Sequence, residues 1–129
     1  HLEEQGHEVV NVGTDTLDSV DYPDIAKSVA EKVLAEEGNL GIIICGTGIG
    51  ISIAANKVEG IRAALCHNEF TARMPRLHNN ANIVSLGARV IGDELGKAIV
   101  DTFITTEFEG GRHARRVGKI EDCGCGCGC

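Results

Sequence analysis

No apolar run in these 129 residues approaches the roughly 20 that a membrane-spanning helix needs, so no membrane association is expected. Positive charge is also scarce: 12 Lys and Arg face 19 Asp and Glu, a formal net charge of -7. Phosphate backbones are gripped by concentrated Lys and Arg, so this balance argues against a nucleic-acid surface and requires any anionic ligand to be held locally. Internal repeats are missing. The start of the chain, at His1 rather than methionine, has no basic region followed by an apolar stretch. What remains, 43% hydrophobic and 24% charged with two prolines, is the composition of a one-domain globular protein, expected to be soluble and cytoplasmic.

Six cysteines do not make a disulfide framework, because of where they fall. Cys45 and Cys66 sit singly in apolar runs, while Cys123, Cys125, Cys127 and Cys129 alternate with glycine in the last seven residues. That tail lacks both CxxC spacing and a nearby histidine, so residues 122–129 read as a disordered Cys/Gly tail on a domain of residues 1–121, with soft-metal or thiol capture as the alternative. No metal site and no cofactor are expected.

Four short apolar, β-rich runs, at residues 8–12, 40–45, 61–66 and 82–86, read as buried strands. Helix-period segments alternate with them at 21–37, 50–57, 69–78, 93–105 and 112–120. This order predicts an α/β fold: a three-layer, doubly wound, Rossmann-like parallel sheet with helices on both faces and right-handed crossovers. Asp21 followed by Pro23 marks a helix start, and Gly38 a stop. Residues 1–5 read as the last turn of a helix closed by Gly6. On this reading a first strand is missing, which leaves four.

The densest chemical signal is the apolar strand 42–45 running into Gly46-Thr47-Gly48-Ile49-Gly50 and then a helix. Glycines admit a ligand close to the backbone, and amides at a helix start suit an anion or a developing oxyanion. The spacing is neither GxGxxG nor a P-loop, which disfavours nucleotides. Cys45 ends the strand, where α/β ligands gather and a helix start favours the thiolate, making it the candidate base; on composition alone a lone cysteine in an apolar run is more often a small core residue. His78, in His78-Asn79-Asn80, lies at a helix-to-strand junction. Arg112 and Arg116, four apart, share a helix face suited to clamping one phosphate, and Arg89, after a strand, is a third candidate.

In combination, Asp21-Tyr22-Pro23-Asp24, the block Cys45-Gly46-Thr47-Gly48-Ile49-Gly50-Ile51-Ser52-Ile53-Ala54-Ala55-Asn56-Lys57, Gly60-Ile61-Arg62-Ala63-Ala64, His78-Asn79-Asn80-Ala81-Asn82, Leu86-Gly87-Ala88-Arg89-Val90-Ile91-Gly92 and Phe108-Glu109-Gly110-Gly111-Arg112-His113 resemble the ribose-5-phosphate isomerase B family over residues 1–121. The resemblance implies cofactor-independent interconversion of ribose 5-phosphate and ribulose 5-phosphate through a cis-enediolate. Cys45 would be the base, residues 46–50 with the Thr47 hydroxyl would hold the enediolate, and His78 would assist ring opening while Asn79 holds sugar oxygens. Arg89, Arg112 and Arg116 would take the phosphate, with Asp21 and Tyr22 nearby. It also implies a homodimer or tetramer with the site between subunits. The family's first strand ends in an Asp-His pair that has no counterpart here, so impaired turnover is expected. The alternatives are a galactose-6-phosphate or allose-6-phosphate isomerase, or a non-catalytic sugar-phosphate-binding fragment.

Overall fold

The computed structural model describes residues 1–14 and 20–123. Three strands, β1 (Gly41–Cys45), β2 (Ala63–Leu65) and β3 (Ile83–Gly87), form one parallel sheet in the order β1-β3-β2. Five α-helices surround or extend it: α1 (Tyr22–Ala35), α2 (Ile49–Asn56), α3 (Glu69–Asn79), α4 (Asp93–Thr105) and α5 (Arg112–Cys123). The expected α/β class and all five expected helices are present.

Local chemistry explains the helix boundaries. Pro23 stands in the first turn of α1, where its missing N–H costs nothing, and Ala26, Ala30 and Val33 recur at helical spacing on its buried face. Asn68 caps α3 by accepting from the Thr71 amide at 2.8 Å, while the Thr71 hydroxyl accepts from the Asn68 amide at 3.1 Å. The same helix ends at Asn80 in a left-handed conformation, φ 47°.

Alternation along the strands sends side chains to two cores. Ile43 and Ile83 pack with Ala26, Ala30, Ile51 and Ala55 of α1 and α2. On the opposite face, Val84 and Leu86 pack with Ala72 of α3 and Ile99, Val100 and Phe103 of α4. These are the three expected layers. α5 lies against α3, with His113 and Val117 turned inward one helical turn apart.

Two expectations require correction. The run at 8–12 joins no strand: Val9 is 46% and Val10 63% exposed, and the segment lies outside the sheet without regular secondary structure. Strand propensity is insufficient without a ladder to join, and the described strands pair only among β1, β2 and β3. The sheet among those residues therefore has three strands rather than four, and the predicted run at 61–66 contributes only Ala63–Leu65. The turn at 1–5 is a short 3-10 helix, Glu3–Gln5, closed by Gly6 at φ 91°. The Cys/Gly tail falls, beyond Cys123, outside the described residues.

The sheet's two borders differ. At β2, the Asn56 side chain donates to the Ala63 carbonyl at 3.0 Å and accepts from its amide at 2.7 Å, so the outer edge is covered. At β1 the ladder runs to β3 alone, Ile44 is 56% exposed, and a groove of 360 Å³ lies beside it, lined by Leu2, Ile42, Ile44, Leu86, Ile91 and Val100. The groove contains neither Cys45 nor His78.

Strand direction fixes where the chemistry can sit. Cys45 pairs with Gly87 at the carboxyl ends of β1 and β3, whereas the turn after His78 feeds the amino end of β3 at Ile83. Five residues of β3 separate those ends by about 13 Å at roughly 3.3 Å per residue.

Candidate active site

At the carboxyl end of the sheet, Cys45 occupies the last position of β1 and is partly buried. The chain then turns through Gly48, φ 78°, into α2. Sγ of Cys45 accepts a hydrogen bond from the Gly48 amide at 3.1 Å. Burial pushes the thiol pKa up, but the amides of Ile51, Thr47 and Gly48, with the Thr47 hydroxyl, outweigh it and leave the pKa below its ordinary value. The Gly48 N-cap has no side-chain hydrogen bond, and the amides at the start of α2 turn toward Cys45 and Thr47.

Close packing holds this turn. A Cβ on Gly48 would come within 2.6 Å of Leu65 Cδ1 and 2.8 Å of the Leu86 carbonyl carbon; one on Gly87 would come within 2.6 Å of the Thr47 carbonyl oxygen. The buried Ser85 hydroxyl donates to the Gly48 carbonyl at 2.6 Å, and the amides of Ala88 and Arg89 bond the carbonyls of Cys45 and Gly46 at 2.9 and 3.0 Å. Arg89 lies over Gly46, where a Cβ would be 3.5 Å from its Nε, and the Tyr22 ring lies 2.8 Å from the Cβ position of Gly50. Asp21 is the exposed N-cap of α1 beside Tyr22. Thr47 Oγ1 accepts from the Ile49 amide at 3.2 Å. Cys45, the 46–50 turn, Arg89, Asp21 and Tyr22 are thus gathered together.

His78, Asn79, Arg112 and Arg116 are gathered elsewhere, on α3 and α5 at the opposite end of the sheet. The rings of His78 and His113 stack at 4.1 Å with an interplanar angle of 13°. Glu109 Oε2 lies 3.6 Å from His113 Nε2, and the Glu109 amide donates to the Leu77 carbonyl at 3.1 Å. Desolvation, then the charges of His78, Arg112 and Arg116, push the His113 pKa down, while Glu109 pulls the other way. Gly110 and Gly111, at φ 70° and 59°, reverse the chain into α5, leaving Arg112 and Arg116 exposed beside the buried His113. Exposed guanidinium groups flanking an imidazole suit a phosphate dianion.

His78, Glu109 and His113 also place three ligand atoms within 4.8 Å of one another. Ligand atoms on one tetrahedral zinc are closer, about 3.4 Å apart for bonds near 2.1 Å, and stacked rings direct their lone pairs in parallel rather than at one point. The cluster is poorly shaped for a metal ion.

The Ribose/Galactose Isomerase family model matches residues 1–120. The chain belongs to the ribose/galactose isomerase family. Among members of that family, it is 49% identical over 120 residues to ribose-5-phosphate isomerase B of Escherichia coli, covering 93% of this chain and 80% of that one. To the putative sugar phosphate isomerase YwlF of Bacillus subtilis it is 53% identical over 122 residues, covering 94% and 82%. Superposition on the solved structure of Clostridium thermocellum ribose-5-phosphate isomerase B gives a TM-score of 0.92 at 58% identity, covering 95% and 82%. For the Thermotoga maritima ribose 5-phosphate isomerase the values are 0.90 and 55%, covering 94% and 83%.

Three neighbours of the site were not singled out from sequence: His113, Glu109 and Arg62. The buried i, i+4 pair of His113 and Val117 would have marked His113 as inward-facing. A lone arginine entering the apolar run Ile61 to Cys66 was the available signal for Arg62.

Proposed function

We propose that this protein interconverts ribose 5-phosphate and ribulose 5-phosphate, and that each active site takes its Cys45 half from one subunit and its His78 half from another. The observation that carries the shared site is the placement of the two clusters at opposite ends of one sheet, too far apart for one small sugar phosphate. A homodimer is the smallest assembly that joins them, and a tetramer of such dimers serves equally.

Arg112 and Arg116 bind the phosphate, and His78 gives a proton to the furanose ring oxygen as the C1–O bond breaks and the anomeric hydroxyl passes its own to solvent water. Asn79 holds sugar hydroxyls. The Cys45 thiolate then removes the C2 proton; the electron pair moves into the C1–C2 bond and the carbonyl oxygen becomes an oxyanion. Amides of the 46–50 turn and the Thr47 hydroxyl receive that charge without rearranging. Return of the proton from Cys45 to C1, with transfer of the hydroxyl proton from O2 to O1, gives the ketose. Arg89, Asp21 and Tyr22 border the same pocket on the Cys45 side. The proposed chemistry suits a soluble metabolic enzyme of the cytoplasm.

A second reading, sugar-phosphate binding without turnover, is favoured by the open β1 border with its exposed Ile44, since an incompletely covered sheet leaves the strand that carries Cys45 less supported on that side. One experiment separates the two. Purified protein is assayed for ribulose 5-phosphate formed from ribose 5-phosphate, with binding of the sugar measured in parallel, beside Cys45→Ala. Turnover that vanishes in C45A supports the isomerase; binding without turnover supports the second reading; neither rejects both.

A further inference from the structure

We infer that Arg62 is a positioning residue that fixes the His78–Asn79 turn relative to the helix bearing Arg112, His113 and Arg116. It stands just before β2, and its backbone is set by Asn82, whose side-chain oxygen accepts from the Arg62 amide at 2.8 Å. From there Nε donates to the carbonyls of Asn79 and Asn80 at 3.1 and 3.0 Å, the last carbonyls of α3 and its cap. The same guanidinium makes an ion pair through Nη1 with Glu121, near the far end of α5. One planar group therefore joins three pieces of chain: the start of β2, the end of α3 and the end of α5.

Ordinary helix capping does not account for this arrangement. Asn80 already closes α3 in the left-handed conformation, and Arg76 already donates to the Ala81 carbonyl at 2.6 Å and to the Thr106 carbonyl at 3.1 Å around the same turn. Burial and then the charge of Arg62 push the Arg76 pKa down, so the second guanidinium is an unfavourable neighbour for Arg76 that the Glu121 carboxylate offsets. What Arg62 adds is a link to α5. That helix enters through two left-handed glycines, and its amino end is held by the Glu109 amide and the His78–His113 stack. The pair with Glu121 holds the other end, so Arg116, lying between the two attachments, is kept in register with Arg112 and His78.

The inference rests on the isomerase reading only for its kinetic consequence. Glu121→Gln removes the charge from the tether, leaving at most a weaker neutral hydrogen bond, and spares the bonds to Asn79 and Asn80. Expected is a rise of about tenfold in KM for ribose 5-phosphate with little change in kcat, because only the phosphate-binding arginines shift. Arg62→Met also frees the turn, so kcat should fall about tenfold as well, and Arg62→Lys should recover part of the loss in both. An independent readout uses no substrate: the mutual ring-current shifts of the His78 and His113 imidazole protons should diminish in Arg62→Met. Folded E121Q and R62M proteins with unchanged KM, kcat and imidazole shifts would overturn the inference while leaving the isomerase intact. If the unmodified protein fails to turn over the sugar, the isomerase reading falls and the imidazole shifts alone decide. If R62M does not fold, E121Q decides by the same shifts and by KM.

Discussion

The two ends of the sheet solve different problems with different materials. Around Cys45 the groups offered to a ligand are mostly backbone amides, and their geometry is enforced by contacts so close that Gly48 and Gly87 have no room for a methyl group. Around His78 they are side chains, His78, His113, Arg112 and Arg116, held through ring stacking and guanidinium bonds across three elements. An oxyanion that exists only in the transition state is best met by donors that cannot move. A phosphate carried unchanged through the reaction needs only charge and approximate placement, which side chains supply. The contrast teaches that substitutions at the first end should act on kcat and those of the phosphate-binding arginines at the second mainly on KM, His78 being the exception as the proposed proton donor.

The sharpest break at the Cys45 end is Cys45→Ala, expected to lower kcat about 10³-fold with KM nearly unchanged; steady-state kinetics on ribose 5-phosphate checks it. At the other end, Arg112→Ala and Arg116→Ala are each expected to raise KM about 10- to 100-fold, the worth of one charge-assisted phosphate contact, with kcat much less affected. A comparable loss of kcat in both sets would erase the distinction.

Stability separates the ends as well. Gly48→Ala must hold a side chain at φ 78° against the Leu86 backbone, so a loss of about 2–3 kcal/mol in urea unfolding is expected. Arg112→Ala, on an exposed face, should move the midpoint hardly at all.

The smallest effect is in pH dependence. The proposed base is the Cys45 thiolate, whose pKa is lowered from 9.0, so the ascending limb of the kcat/KM pH profile should have its midpoint below 9.0. Cys66, buried, with its thiol pushed up to about 11, stays protonated. Peptide mapping after iodoacetamide at pH 8 should find Cys45 alkylated and Cys66 untouched; a midpoint at or above 9.0, or modification of Cys66 first, would contradict this.

What was legible in the sequence was local. The apolar strand into Gly46-Thr47-Gly48-Ile49-Gly50, the Pro23 helix start and the five helical periods depend on near neighbours, and all appear where expected. The run at 8–12 has equal strand character but depends on a partner distant in sequence, and it remains outside the sheet. The site residues divide in the same way. Cys45 and its turn could be read from one stretch, whereas the separation of Arg89 from Arg112 and Arg116 follows from strand direction and length. Arg62 and Glu109 acquire meaning only when α3 and α5 lie together.

The shared site is tested most directly by mixing two inactive variants, Cys45→Ala and His78→Asn, after dissociation and reassociation of the subunits. In a hybrid dimer one site carries both lesions and the other carries none. Random pairing should therefore restore about a quarter of the unmodified activity. A mixture no more active than its components would show that both clusters serve one chain alone, and would contradict the account.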